Sequence, residues 1–478
     1  MMIGMSRVLM VSPEATPFAK TGGLADVTGA LPAALQEVGD EVAVVMPRYR
    51  QIPYHDTESA FDNMVVFAGS TPYRVDIRTQ VHNGVRFFFI EAPYFFDREG
   101  IYNVNNRDYA DNHKRFAVLS LAAIGIAQTV FECDILHCHD WQAALVPVYL
   151  ADQQHANPRF ANVKTVMTIH NMGYQGIFGK AAFPDLGLNW GWFTSDKLEH
   201  FGDINMLKAG IQTSDWVTTV SPTYAREIQQ PEGGFGLDGV LRSRSMALSG
   251  ILNGVDYNEW SPETDKFLPA NYSSEDLSGK RICKRALLEE FGLPSDNLDR
   301  PLIGIVSRFA EQKGFDLIAG IANLVAERDV QLVILGSGEP RFERIFQDWR
   351  RWLPHRVGLY TGYNNALAHR IEAGSDIFLM PSLYEPCGLN QIYSLRYGTV
   401  PVVRATGGLD DTIQEDTGFK FSWYSVGALY DTLRSALGAF ENRDSWTARM
   451  RRGMAKDYSW NASAREYSAL YQRLLGRG

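Results

Sequence analysis

Residues 7–35 read RVLMVSPEATPFAKTGGLADVTGALPAAL. Arg7 to Ser12 is a short apolar run, Lys20-Thr21-Gly22-Gly23 is a turn, and Leu24 to Leu35 returns apolar residues at three- and four-residue steps. That is strand, loop, helix. The alternation recurs at EVAVVMP, at DILHCHD leading into WQAALVPVYLA, at VKTVMTIH, and at WVTTVS leading into TYAREIQQ. A second series begins after Pro301: PLIGIVSR, a helix from Phe315 to Arg328, VQLVILGSG, a helix near Arg341 to Trp352, IFLMPS and TVPVVRAT. Strands separated by helices predict an α/β fold with a parallel sheet covered on both faces. Between the series, Asn253 to Ser278 is rich in Pro, Asn, Ser and Asp and lacks periodicity, the composition of a linker. The domain boundary is therefore expected near residue 250.

The chain has 478 residues, 45% of them hydrophobic, so it is long enough for two cores. With a net charge of −9, a broad basic face able to neutralise many phosphates is not expected, nor is nucleic acid as the main partner. Cys133, Cys138, Cys283 and Cys387 are too few for a disulfide framework and read as free thiols. The opening MMIGMSRVLMVSPEA is too short in its apolar part for a signal peptide and runs into the first strand. Phe116 to Phe131 is the most apolar stretch, yet falls short of the roughly 20 residues that span a bilayer core. It reads as a buried helix, and no membrane partner is expected.

Four features carry chemistry. A Gly-Gly pair between strand and helix lets a ligand approach the backbone, and the free amides of a helix start favour an anion such as phosphate. Lys20 adds a charge to Gly22 and Gly23, although a tight turn with a surface lysine has the same sequence. Thr21 to Asp26, TGGLAD, has an echo in Thr406 to Asp411, TGGLDD, which suits two similar halves. Arg308 and Lys313 follow LIGIVS on a strand-end loop, where open α/β sheets bind ligands, and read as a diphosphate clamp. In SLYEPCGLNQ, Glu385 stands between a strand end and a helix start, either beside a sugar hydroxyl and phosphate or as an N-cap. Cys387 has no evident base partner and reads as a packed thiol. His137, Cys138, His139 and Asp140 resemble metal ligands, but alternate strand residues face opposite ways and split the cluster. No Asp-x-Asp pair occurs, so no metal is expected to hold a sugar diphosphate, and a cation-assisted mechanism without cofactor is implied. His170-Asn171 and Asn253-Gly254 are polar clusters at strand ends.

Taken together, KTGGLADV, HCHDW, TIHNMGYQG, SPTYARE, LNGVD with WSPETD, VSRFAEQKG, PSLYEPCGLNQ and RATGGLDDT closely resemble the bacterial glycogen synthases and plant starch synthases, glycosyltransferase family 5. The resemblance runs from Val8 to Trp460. It implies a GT-B fold, with two Rossmann-like doubly wound domains facing a central cleft. It also implies retaining transfer of glucose from ADP-glucose, or in some members UDP-glucose, to the non-reducing end of an α-1,4-glucan such as glycogen, starch or a maltooligosaccharide.

By the same resemblance Lys20, Gly22 and Gly23 lie near the donor diphosphate and sugar, followed by Asp26. The main-chain carbonyl of His170 faces the anomeric carbon, with Asn171 beside it, and Asp140 and Asn253 are sugar-side. Arg308 and Lys313 hold the phosphates. Glu385 acts at the sugar with Cys387, Gly388 and Leu389 as loop backbone, and Tyr363 lies near the base. Asn390 departs from the threonine usual in the bacterial members. The implied organisation is an acceptor-side domain over 1–250, a nucleotide-sugar domain over 251–456, and a final helix over 457–478 returning to the first. The implied compartment is the bacterial cytoplasm, or the plastid stroma for a plant or alga. Rival readings are a UDP-glucose-using synthase, another retaining GT-B transferase with a small acceptor, and an inactive glucan-binding protein.

Overall fold

A computed structural model describes residues 5–105, 107–154 and 157–477. The first four residues of the stretch weighed as a leader lie outside them. The chain forms two compact units, Met1–Val220 with Ala225–Gly254 and Trp460–Gly478, and Ser221–Tyr224 with Val255–Ser459.

The first unit is built on a nine-stranded sheet. Across it run Leu248–Gly250, Trp216–Thr219, Lys164–Ile169, Ile135–His139, Arg7–Val11, Glu41–Pro47, Val85–Glu91, Thr71–His82 and Glu58–Ala68. The first seven are parallel neighbours, and the last two join antiparallel. Arg7–Val11 is buried almost throughout because helices cover both faces, which is why its sequence is continuously apolar. The stretch from Phe116 lies in the helix Asn112–Thr129, whose residues 116–120 are all buried.

The antiparallel extension is not among the elements predicted from the sequence. One local signal was present: Asn83-Gly84 joins Thr71–His82 to Val85–Glu91, and both residues have positive φ, 49° and 79°, as a two-residue hairpin turn of right-handed twist requires.

The second unit has six strands, all parallel to their neighbours: Val357–Thr361, Gln331–Gly336, Leu302–Val306, Ile377–Met380, Val400–Arg404 and Phe419–Phe421. Numbered along the chain, their order is 3-2-1-4-5-6, the doubly wound arrangement. The helix expected from Phe315 to Arg328 is two pieces, Phe315–Gly320 and Ala322–Glu327.

The units change over at 254/255 and 459/460, a few residues beyond the positions expected at 250 and 456. Local bonding accounts for the shift. The Ile251 amide still donates to Thr219 O at 2.8 Å, and a Cβ on Gly254 would stand 2.5 Å from Trp460 Cα, so both stay with the first unit. Val255 then donates to Tyr458 O at 2.9 Å within the second.

The helix Trp460–Leu474 belongs to the first unit and packs on the helix Gly23–Glu37. Gln472 donates to Ser6 Oγ at 2.7 Å, and the buried Tyr471 hydroxyl lies 2.7 Å from His137 Nδ1. Among the described residues no helix is long and apolar enough to cross a membrane. Tyr471→Phe keeps the ring but leaves the buried His137 nitrogen unpaired. Urea unfolding is expected to show a loss of about 1–3 kcal/mol, and an unchanged midpoint would contradict the bond.

Candidate functional site

The polar residues singled out follow the carboxyl ends of strands, and in each unit several of them stand where the strand order reverses. In the second unit that point lies between Leu302–Val306 and Ile377–Met380. After Val306 the chain passes Arg308, makes a single turn over Glu311–Lys313, and reaches Gly314 at φ +75°. A Cβ at Gly314 would stand 2.1 Å from Pro381 O, so only glycine lets this loop lie against the end of the neighbouring strand. Leu383 N donates to Gln312 O at 2.8 Å and fastens the two loops together.

That placement brings Lys313 Nζ to 2.6 Å from Glu385 Oε2, which also accepts from Ser382 Oγ at 3.0 Å. Glu385 is 6% exposed. Removing one partner of such a buried pair typically costs about 3–5 kcal/mol, because the other charge is left uncompensated. Glu385 is not an N-cap: the next helix, Asn390–Arg396, is preceded by Leu389 without a side-chain cap.

A cavity of about 110 Å³ adjoins the pair, lined among others by Val306, Lys313, Ser382, Glu385, Gly388 and Leu389. Asn390, also on its wall, donates through Nδ2 to Val306 O at 2.8 Å. Cys387 is buried, and its carbonyl accepts from Gln391 Nε2 at 3.0 Å. Arg308 is exposed on the Lys313 loop. Tyr363 is not brought to this cavity: it follows the edge strand Val357–Thr361, two strands away, and is 88% exposed.

The two Thr-Gly-Gly turns differ. In the second unit a Cβ on Gly407 would stand 1.9 Å from Glu385 O, and one on Gly408 2.1 Å from Cys387 O. These glycines are consumed in seating the Glu385 loop. In the first unit a Cβ on Gly22 or Gly23 would meet nothing within 4 Å, and both are exposed at the start of the helix Gly23–Glu37, which has no side-chain cap. Their amides are open to a ligand. Lys20 Nζ rests 2.7 Å from Asp26 Oδ1.

The switch point of the first unit lies between Arg7–Val11 and Ile135–His139. Directly after the second of these strands stands Asp140, at the uncommon φ of +57° for a side-chain-bearing residue. Its Oδ1 accepts from the His170 amide at 2.7 Å. Burial pushes the carboxyl up to about 7, against the pull of the amides of His170 and Asn171. His170 Nε2 lies 3.0 Å from His139 Nδ1, and the His139 and His137 rings are 4.3 Å apart. Asn171 Oδ1 accepts from Gly173 N at 2.9 Å. The buried Asn253 Oδ1 finds no hydrogen-bond partner among the described residues. Nor does any group of three or more His, Cys, Asp and Glu side chains among them have an arrangement that holds a metal ion.

Glu14 and Ser382 are not among the site residues predicted from the sequence. Glu14 is buried in the loop before Lys20 and binds Thr21 and Tyr102. Its signal was the one acid in the loop SPEATPFAK, whereas Ser382 gave none.

Comparison with known proteins decides the family. The family described as starch synthase catalytic domain matches residues 7–243, and that described as glycosyl transferases group 1 matches 291–452. The chain is 49% identical to a glycogen synthase of Koribacter versatilis, covering 98% of both chains. It is 47% identical to one of Myxococcus xanthus, covering 98% of this chain and 99% of the other. The chain belongs to the glycogen and starch synthases. Among solved structures it is similar to the catalytic domain of starch synthase IV from Arabidopsis thaliana bound to ADP and acarbose, with a TM-score of 0.88, 34% identity, and coverage of 99% and 100%. A sucrose-phosphate synthase from Thermosynechococcus elongatus, 18% identical with a TM-score of 0.61 and coverage of 99% and 100%, shares the fold.

The two matched families together identify the fold as GT-B, and the enzyme is a glucosyltransferase of glycogen or starch synthesis that uses a nucleotide-sugar donor and a glucan acceptor.

In this synthase, burial holds His137 and His170 down at about 3 and His139 well below its ordinary value. The folded chain therefore refuses protons that the unfolded chain accepts below about pH 6.5, so the stability these neutral rings confer falls as pH drops from there toward 3. Asp140 acts oppositely, because the folded chain takes its proton first, from about 7 downward. Nitrogen NMR of the imidazoles at about pH 5 is expected to find all three neutral. Imidazolium signals from them would contradict the burial argument.

Proposed function

We propose that the enzyme transfers glucose from ADP-glucose, with retention, to the 4-hydroxyl at the non-reducing end of an α-1,4-glucan. The Lys313–Glu385 pair at the switch point of the second unit, with Arg308 on the same loop, carries this reading. Two cations and the amides beyond Cys387, Gly388 and Leu389 suit a diphosphate, and a carboxylate beside them suits a sugar. The similarity to a starch synthase whose structure holds ADP supports the choice of nucleotide.

In this reading the second unit is the nucleotide-sugar domain, and the first, with its C-terminal helix, is the acceptor-side domain. Arg308 and Lys313 offset charge growing on the departing ADP, while Lys20 and the Gly22 and Gly23 amides serve the diphosphate and sugar. Asp26 holds Lys20 until a phosphate competes for it. The His170 carbonyl faces the anomeric carbon, and Asp140 fixes that stretch of backbone through the His170 amide. Asn171 and Asn253 bind sugar hydroxyls, with the unpaired Asn253 oxygen ready to accept one. Tyr363 lies near the base, free to rotate toward it. Glu385 stabilises positive charge at the anomeric carbon. The cations take the part that a metal plays elsewhere, as the lack of any Asp-x-Asp pair supports. The bacterial relatives support a cytoplasmic setting.

Arg308→Ala and Lys313→Ala are each expected to lower kcat by about 100-fold or more on ADP-glucose and glycogen, with ADP-glucose the better donor than UDP-glucose for the unaltered chain. Near-normal turnover in both variants would overturn the clamp, and a preference for UDP-glucose would overturn the donor.

A further inference from the structure

Glu14 has no role in the reaction described above, yet it lies under the Lys20 turn. It is 3% exposed, in the loop between the first strand and the helix Gly23–Glu37. One carboxylate oxygen accepts from the Thr21 amide, and the other from the Thr21 hydroxyl at 2.6 Å and from the Tyr102 hydroxyl. Its own backbone is pinned, since its carbonyl accepts from Ser12 Oγ at 2.7 Å and also from the Thr28 hydroxyl.

Two bonds from one carboxylate to the amide and hydroxyl of one residue fix that residue's backbone and side chain together. Thr21 stands between Lys20 and Gly22, so its orientation sets where the lysine stem leaves the chain and where the next amides point. Gly22 and Gly23 have no side chains to pack, and the helix start has no side-chain cap. Glycine at this position would otherwise sample many conformations. The two carboxyl oxygens of Glu14 lie where they meet all three donors at once, so one side chain ties Thr21 and Tyr102 together. It also occupies the Thr21 amide itself, which leaves the amides beyond it for a ligand.

We propose that Glu14 is a positioning residue for glucosyl transfer, holding the Lys20–Gly23 turn through Thr21 in the conformation that presents Lys20 and the glycine amides to the donor. The inference rests on the reading of that turn as a donor site. It is tested by steady-state kinetics on ADP-glucose and glycogen for Glu14→Ala, Glu14→Gln, Lys20→Ala and the double variant Glu14→Ala/Lys20→Ala, each with its melting curve.

Glu14→Ala is expected to lower kcat by about 30-fold while KM for glycogen stays within about twofold. Glu14→Gln, which keeps an acceptor for the Thr21 amide, is expected to recover most of that loss. The loss caused by Lys20→Ala is expected to shrink by about fivefold or more when Glu14 is already absent. If Glu14→Ala does not melt cooperatively, Thr21→Val carries the same test, with a smaller loss and the same shrinkage. Losses that simply multiply, or a Glu14→Ala enzyme within about threefold of the unaltered one, overturn the proposal while an impaired Lys20→Ala leaves the donor-site reading standing. Full turnover in Lys20→Ala overturns that reading, and this proposal with it.

Discussion

A carboxylate taken out of water needs a counter-charge close by, and the second unit is arranged around that need at Glu385. Its ammonium partner, Lys313, comes from the loop after one strand, Ser382 from the loop after the next, and the glycines that seat the loop, Gly407 and Gly408, follow the third. Each contribution requires a close backbone approach: Gly314 against Pro381, Gly407 against Glu385, and Gly408 against Cys387. The pair holds Lys313 in place beside the cavity. Under the proposed reading, charge held in place in this way lowers the barrier because it does not have to reorganise as the leaving group separates.

The first unit uses the same topology with another chemistry. Its switch point also gathers polar residues, but there Asp140 bonds the His170 amide and Glu14 bonds Thr21, so both carboxylates hold backbone. Two buried neutral imidazoles, His139 and His137, stand behind His170, and the C-terminal helix closes over them through Tyr471. The return of that helix is therefore part of the wall behind this region of the first unit.

Most of the parallel strands were legible because burial on both faces makes them continuously apolar, as in RVLMVS and VQLVILG. The antiparallel extension over 58–82 was not read because half its side chains face solvent, as at Phe67 and Val81, and its alternation is irregular. Lys313 and Glu385 were legible as loop residues at strand ends, but their pairing was not, since 72 residues separate them and only the strand order makes them neighbours. The likeness of the two Thr-Gly-Gly turns was legible too. That one is open and the other filled by the Glu385 loop follows from packing, which six residues of sequence do not encode.

The central claim is that the Lys313 loop at the switch point of the second unit receives the donor diphosphate. The most direct measurement is a crystal structure of the enzyme with ADP bound. The account predicts diphosphate oxygens within about 3 Å of Lys313 Nζ and of the Arg308 guanidinium. A diphosphate bound away from that loop, with the Lys313–Glu385 pair untouched, would contradict it.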